Sequence, residues 1–197
     1  MIIDFHTHAF PEAIAQKALQ KLSFVSGGLK YYTDGTLSSL RSAAKREGAD
    51  ISVMLSIATN AHQMKSVNDF AAEADKNSDI IAFGSVYPWA EDAEEELERI
   101  KDMGLRGVKF HPEYQNFFVD DEKMKPIYKK ISKLGLITIF HAGLDYGYDA
   151  PYHCMPENMR RAAVWFDSPV VAAHWGGLGC GESVLEKLCG IENLYFD

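Results

Sequence analysis

Seven short apolar runs, each followed by a helical pattern or a loop, constrain this chain more than any other feature. The runs are Ile2–Phe5, Ile51–Ile57, Ile80–Val86, Gly107–Phe110, Leu136–Phe140, Val170–Ala173 and Leu194–Phe196. They are rich in Val, Ile and Phe, as strands buried on both faces should be. Between them, Pro11–Leu22, Leu37–Glu47, Asn60–Lys76, Glu91–Met103, Asp121–Leu134, Pro156–Phe166 and Glu182–Leu188 read as helices. Thr36 is placed to cap the second and Gly48 to stop it. Strands that alternate with helices imply βαβ units and a parallel sheet. Right-handed crossovers then leave a doubly wound sheet or a (β/α)8 barrel. No linker or repeat divides the chain, so residues 1–197 are expected to form one domain, long enough for a substantial core.

Histidines stand at the ends of four of these runs. His6 and His8 follow the first, His111 the fourth, His141 the fifth and His174 the sixth. Side chains two apart on a strand share a face, so His6-Thr7-His8 reads as half of a zinc-type site. In a barrel all C-terminal strand ends meet at one rim, where histidines distant in sequence converge. His62, within a helical pattern, and His153, in a loop, read as structural or solvent-facing. Glu113, Tyr114, Tyr148 and Trp175 fall in loops after strands, where they and His153 could shape a pocket. The acidic run Glu91–Glu98 reads as a solvated helix face.

A formal net charge of −8 and the lack of a basic stripe argue against a nucleic-acid partner. No apolar stretch reaches transmembrane length, and Asp4, His6 and His8 break any leader-like apolar start. Three cysteines without a C-x-x-C pair fit reduced thiols and a cytoplasmic setting, with Cys180 and Cys189 read as helix-packing residues. The expected partner is a small-molecule substrate; self-association into a homo-oligomer stays open.

The segments I-I-D-F-H-T-H-A-F-P at 2–11, G-V-K-F-H-P at 107–112, I-F-H-A-G at 139–143 and V-V-A-A-H-W-G-G at 170–177 carry a resemblance. In order and strand placement they resemble the amidohydrolase superfamily. Within it they are similar to the amidohydrolase-related group that contains aminocarboxymuconate-semialdehyde decarboxylase and many metal-dependent hydrolases. The acidic segment of the TatD-like nucleases and the ligand pattern of the PHP phosphoesterases are not found. The resemblance implies a TIM-type (β/α)8 barrel with a divalent metal at its mouth. By motif, His6, His8 and His141 match metal ligands, and His174 matches a histidine that binds metal or assists the water. Lys109 and His111 match the fourth-strand segment. Lys109 lies one residue too deep for the carboxylated lysine that bridges two metals in binuclear members, so one ion per chain is expected. Zinc is favoured, with manganese as the alternative.

The implied activity is hydrolysis of a small amide, lactone or ester by a metal-activated water, with His174 as the catalytic group. His111, Trp175, Tyr148 and His153 are expected to contact the substrate. Two alternatives stand beside it: non-oxidative decarboxylation of a small unsaturated or aromatic acid at the same metal, and a non-catalytic remnant. The last arises because the family places an aspartate on an eighth strand. Leu194–Phe196 reads as the seventh, so the C-terminal strand and helices are expected to be missing, and Asp197 is not that aspartate by this register.

Overall fold

Each apolar run becomes a parallel strand in the structure, a computed structural model that describes residues 1–197. The strands are β1 (Ile3–Thr7), β2 (Ile51–Leu55), β3 (Ile80–Phe83), β4 (Gly107–Phe110), β5 (Ile137–Phe140), β6 (Val170–Ala172) and β7 (Leu194–Phe196). β1-β2-β3 and β4-β5-β6-β7 form two sheets in chain order. A bridge between Gly84 and Val108 joins them, with Gly84 N donating to Gly107 O (2.9 Å) and Lys109 N to Gly84 O (2.8 Å). The result is an α/β barrel wall of seven consecutive parallel staves. The helices are α1 (Glu12–Val25), α2 (Leu37–Glu47), α3 (Met64–Asp75), α4 (Ala93–Asp102), α5 (Pro112–Gln115), α6 (Lys125–Leu134), α7 (Pro156–Ala163) and α8 (Gly181–Lys187). No helix is long and apolar enough to cross a membrane.

Strand alternation divides the apolar residues into two cores. Val53, Leu55, Phe83, Ile139, Val171 and Ala173 pack together on the inner side of the wall. Met54, Ala82, Val108, Phe110, Phe140 and Ala172 face the other way, into the larger core shared with the helices. Lys109 is in register with the inward Ile139 and is almost wholly buried, so its ammonium stands within the barrel just beneath the rim.

Three local expectations change. Glu113 and Tyr114, read as loop residues, lie on the short helix α5, which starts on Pro112 and ends at Asn116 in the left-handed region (φ 54°). Four residues are too few to show a helical period in the sequence. The acidic run is not uniformly solvated. Glu96 is buried, accepting from Asn68 Nδ2 (2.7 Å) and Arg99 Nη2 (2.7 Å), while Asn68 also pairs with both backbone groups of Ser85. Cys180 is buried as expected, whereas Cys189 is exposed. His62 falls in a 3-10 turn, Ala61–Gln63, on the surface.

Gln115 fastens the rim. Its Nε2 donates to Ala58 O (2.7 Å) and Val86 O (2.8 Å), and its Oε1 accepts from His111 N (3.0 Å). One buried amide thereby ties the loops after β2, β3 and β4. Gln115→Leu keeps similar bulk but leaves these buried backbone groups without partners. A loss of about 2–4 kcal/mol in unfolding free energy is expected. Urea denaturation measures it; a change below about 0.5 kcal/mol would show that the rim does not need the clamp.

Candidate metal centre

An irregularity in β1 aims the first two histidines. Ile3 pairs with Ile51 and Asp4 with Ser52, but Thr7 pairs with Met54, so three steps along β1 match two along β2. Strict alternation from Phe5, which packs on the inner cluster, would turn His6 and His8 outward. The extra residue is a β-bulge that resets the phase. Thr7 takes the outward parity of Met54 and donates to Val53 O (2.8 Å), and both imidazoles reach the mouth. His6 and His8 lie with ring centroids 5.2 Å apart.

His141 follows the inward Ile137 and Ile139 by plain alternation. His174 does not. It leaves β6 in the left-handed region (φ 62°), as does Trp175 (φ 58°), before Gly176 (φ 88°). Consecutive non-glycine residues there are uncommon and costly. The turn redirects His174 into the rim, where it stacks on His6 (4.8 Å between centroids). It also lets the loop after β5 meet the loop after β6. Leu178 N donates to Ala142 O (2.9 Å), and Leu144 N donates to Leu178 O (3.0 Å). A Cβ on Gly143 would stand 2.2 Å from Leu178 N, so the glycine of I-F-H-A-G is required by this backbone approach.

Hydrogen bonds to carbonyls define the tautomers, since a carbonyl can only accept. His8 Nδ1–H donates to Leu55 O (2.8 Å), and His141 Nε2–H donates to Leu144 O (3.1 Å). His141 Nδ1 therefore accepts from His174 Nε2–H (3.0 Å). Asp197, just past β7, holds the other side: Oδ1 accepts from His174 N (2.6 Å) and Oδ2 pairs with His6 Nδ1. Nε2 of His6 and Nε2 of His8 make no hydrogen bond, whereas the lone pair of His141 Nδ1 is taken up by His174 Nε2–H.

Of the residues picked out in the sequence, His6, His8, His141 and His174 meet at this rim. The donor set that closes here, however, is His6, His174 and Asp197, with ligand atoms within 4.8 Å of one another. Asp197 was not anticipated as a site residue; its signal was an acid one residue beyond a strand in a chain whose other strands end in histidines. His111 lies beside His141 (4.2 Å between stacked rings) and under Tyr114 (3.6 Å). Tyr148 is 5.8 Å from Tyr114, and Trp175 is exposed and lines the mouth with His6, His8 and Asp197. His153 instead supports α5: its N donates to Glu113 Oε1 (2.8 Å), its Nδ1 to Pro112 O (3.1 Å).

Burial dominates the electrostatics. Desolvation, reinforced by Lys109 and His174, pushes His141 down to about 3. Desolvation, then His6 and Lys109, pushes His174 down to about 4 despite Asp197. His8 is lowered by desolvation and by its charged neighbours, although part of its surface stays open to solvent that screens the effect. Burial brings Lys109 down to about 7 against the pull of Asp197. Asp197 itself would be raised by burial, but its bonds to His6 and His174 hold it below the usual range. His8, His141 and His174 are thus neutral at pH 7, the form that binds metal.

The sequence model of a family described as amidohydrolase matches residues 3–195. Among curated proteins no sequence matches the chain. Solved structures do. An uncharacterised TIM-barrel protein from Bordetella bronchiseptica superposes with a TM-score of 0.74 at 20% identity, covering 99% of this chain and 74% of its own. The 5-carboxyvanillate decarboxylase LigW of Sphingomonas paucimobilis gives 0.65 at 16% identity, covering 89% and 68%. A probable 2-pyrone-4,6-dicarboxylic acid hydrolase from Acinetobacter baumannii gives 0.61 at 16% identity, covering 99% and 68%. Likeness at this level of identity establishes the fold.

The depressed imidazoles make stability depend on pH. An unfolded histidine titrates near 6.5. Below that value the unfolded chain binds protons that the buried rings refuse. Their contribution is therefore complete above about pH 6.5 and lost as pH falls toward the folded-state values. For His141, with a folded value of about 3, the loss at pH 5 is on the order of 2 kcal/mol. Calorimetry in chelator should show Tm falling steadily from pH 7 to pH 5. A flat profile would mean that the rim opens to water.

Proposed function

Because the chain belongs to the amidohydrolase family, we propose that it is a metal-dependent hydrolase acting on a small amide, lactone or ester. The observation that carries this reading is the convergence of four strand-end histidines and Asp197 on one rim, with the tautomers of His8 and His141 set by backbone carbonyls. The donor set fits a divalent ion. Neutral imidazoles with unshared lone pairs, oriented by a hydrogen bond through the other ring nitrogen, are the usual ligands of zinc and its neighbours. In this reading His6, His8 and His141 hold the ion, zinc or manganese. When bound, the cation supplies Lewis acidity and makes hydroxide accessible near neutral pH.

The remaining residues divide the other tasks. His174, which lines the same mouth, exchanges the proton of the attacking water. Asp197 fixes the backbone of His174 and bonds the ring of His6, which keeps both imidazoles in place as charge moves. Lys109, beneath the rim, adds positive potential where negative charge develops on the substrate oxygen. Tyr114 and Tyr148, tilted to one another by 38°, offer an aromatic wall against which the substrate lies, while His111 is buried beneath Tyr114.

That wall also favours a second reading. A planar unsaturated acid would stack on it, and the structure of 5-carboxyvanillate decarboxylase shares this fold. Carbon dioxide would then be the product in place of a hydrolysed bond.

His6→Ala and His8→Ala are expected to lower metal content by elemental mass spectrometry and to abolish turnover of a panel of amides, lactones and esters. His174→Asn should keep the metal and lower kcat by about 100- to 10,000-fold with little change in KM. Release of carbon dioxide from unsaturated acids, with no hydrolysis across the panel, would replace the first reading by the second. Full turnover in His6→Ala would overturn both.

A further inference from the structure

Next to the rim cluster, and sharing His141 with it, lies a second convergence of donors. His111 Nε2 is 3.4 Å from Asp145 Oδ2, and His141 Nε2 is 3.8 Å from the same oxygen. The three donor atoms lie within 4.8 Å of one another. On the far side of His111, Nδ1 faces Glu113 Oε2 at 3.8 Å. Both of those atoms are buried and without a hydrogen-bond partner. His111 and Glu113 are each more than nine-tenths buried, and Asp145 is buried as well.

Two carboxylates thus stand inside the protein with only imidazoles as ion-pair partners. Buried carboxylates need a compensating positive charge. Other oxygens of the pair are already committed: Asp145 Oδ1 accepts from Gly147 N (2.8 Å), and Glu113 Oε1 accepts from His153 N (2.8 Å). The free oxygens are the ones that point at His111. The order Glu113, His111, Asp145 is that of a carboxylate orienting a histidine through one nitrogen while the other nitrogen meets a cation.

We propose that His111, His141 and Asp145 form a separate divalent-cation site, oriented by Glu113. The mixed nitrogen and oxygen donors suit zinc, cobalt, manganese or iron. His141 is common to both clusters: Nδ1 faces His174 and Nε2 faces Asp145. Filling this site replaces the Nε2 proton, now on Leu144 O, which is released to solvent. A divalent ion accounts for the two converging imidazole nitrogens; an organic ammonium would leave them without a role.

The proposal rests on the metal-binding reading of the neighbouring rim only through His141, and one experiment separates the two. The 197-residue chain is stripped with chelator, dialysed against Zn(II), and assayed by elemental mass spectrometry; Co(II) titration followed by visible absorption gives the same stoichiometry independently. Two ions per chain are expected in the wild type. Asp145→Asn should retain one, His6→Ala should retain one, and His141→Ala should lose both. Glu113→Gln, which preserves shape, should weaken one of the two equivalents by about 10- to 100-fold. If Asp145→Asn and Glu113→Gln bind Zn(II) as the wild type does, the inference falls, whatever His6→Ala shows. If a single ion is found that depends on Asp145 and not on His6, the inference stands and the reading of the His6 cluster falls. Asp145-dependent binding of benzylamine without any effect on Zn(II) would also overturn it. Circular dichroism confirms that each variant is folded, and the wild-type stoichiometry tests the inference even where a variant is not.

Discussion

Two backbone hydrogen bonds at Gly84 hold the architecture of this protein together. They join the sheet of β1–β3 to the sheet of β4–β7, and the side chains of Gln115 and Ser85 bridge the same seam. The seam allows no side chain. A Cβ on Gly84 would lie 2.9 Å from Asn68 Oδ1 and Ile100 Cδ1, and one on Gly107 would lie 2.4 Å from Phe83 and 2.5 Å from Ile137 O. Asn68 then covers the seam from outside by pairing with both backbone groups of Ser85, and Ser85 Oγ donates to Lys109 O (2.8 Å). His111 is placed two residues beyond that lysine, so the geometry of the rim traces back to these contacts.

Around the rim, burial and charge are balanced in an unusual way. Imidazoles are crowded at the strand ends with an ammonium below them, which favours neutral rings and open lone pairs. The carboxylates are segregated, Asp197 to one side against His6 and His174, Asp145 and Glu113 to the other around His111. A site of this composition suits a cation.

Much of this was legible in the sequence. The strand-like runs all became strands, and four of the histidines that end them meet at one rim, because short apolar runs buried on both faces have few alternatives to a parallel sheet. The resemblance carried by residues 2–11, 107–112, 139–143 and 170–177 agrees with the family match over residues 3–195. Other features left no trace in periodicity. α5 is too short to show a period, and Glu96 is buried within an acidic run because Asn68 and Arg99, one of them on another helix, supply its partners. The inward aim of His6 and His8 agreed with the simple two-residue rule only because a bulge restored the phase.

The sequence by itself determined the order and type of the elements and which residues could carry metal chemistry, since hydrophobic period and residue identity are local properties. Tertiary structure alone decided how those residues share the space. The left-handed turn at His174, the approach of Asp197 to His6, the pairing of His111 with Asp145 and Glu113, and the two faces of His141 all depend on contacts between residues far apart in the chain. Such contacts are set by strand register and by the meeting of loops at the rim, and neither is encoded in any local pattern.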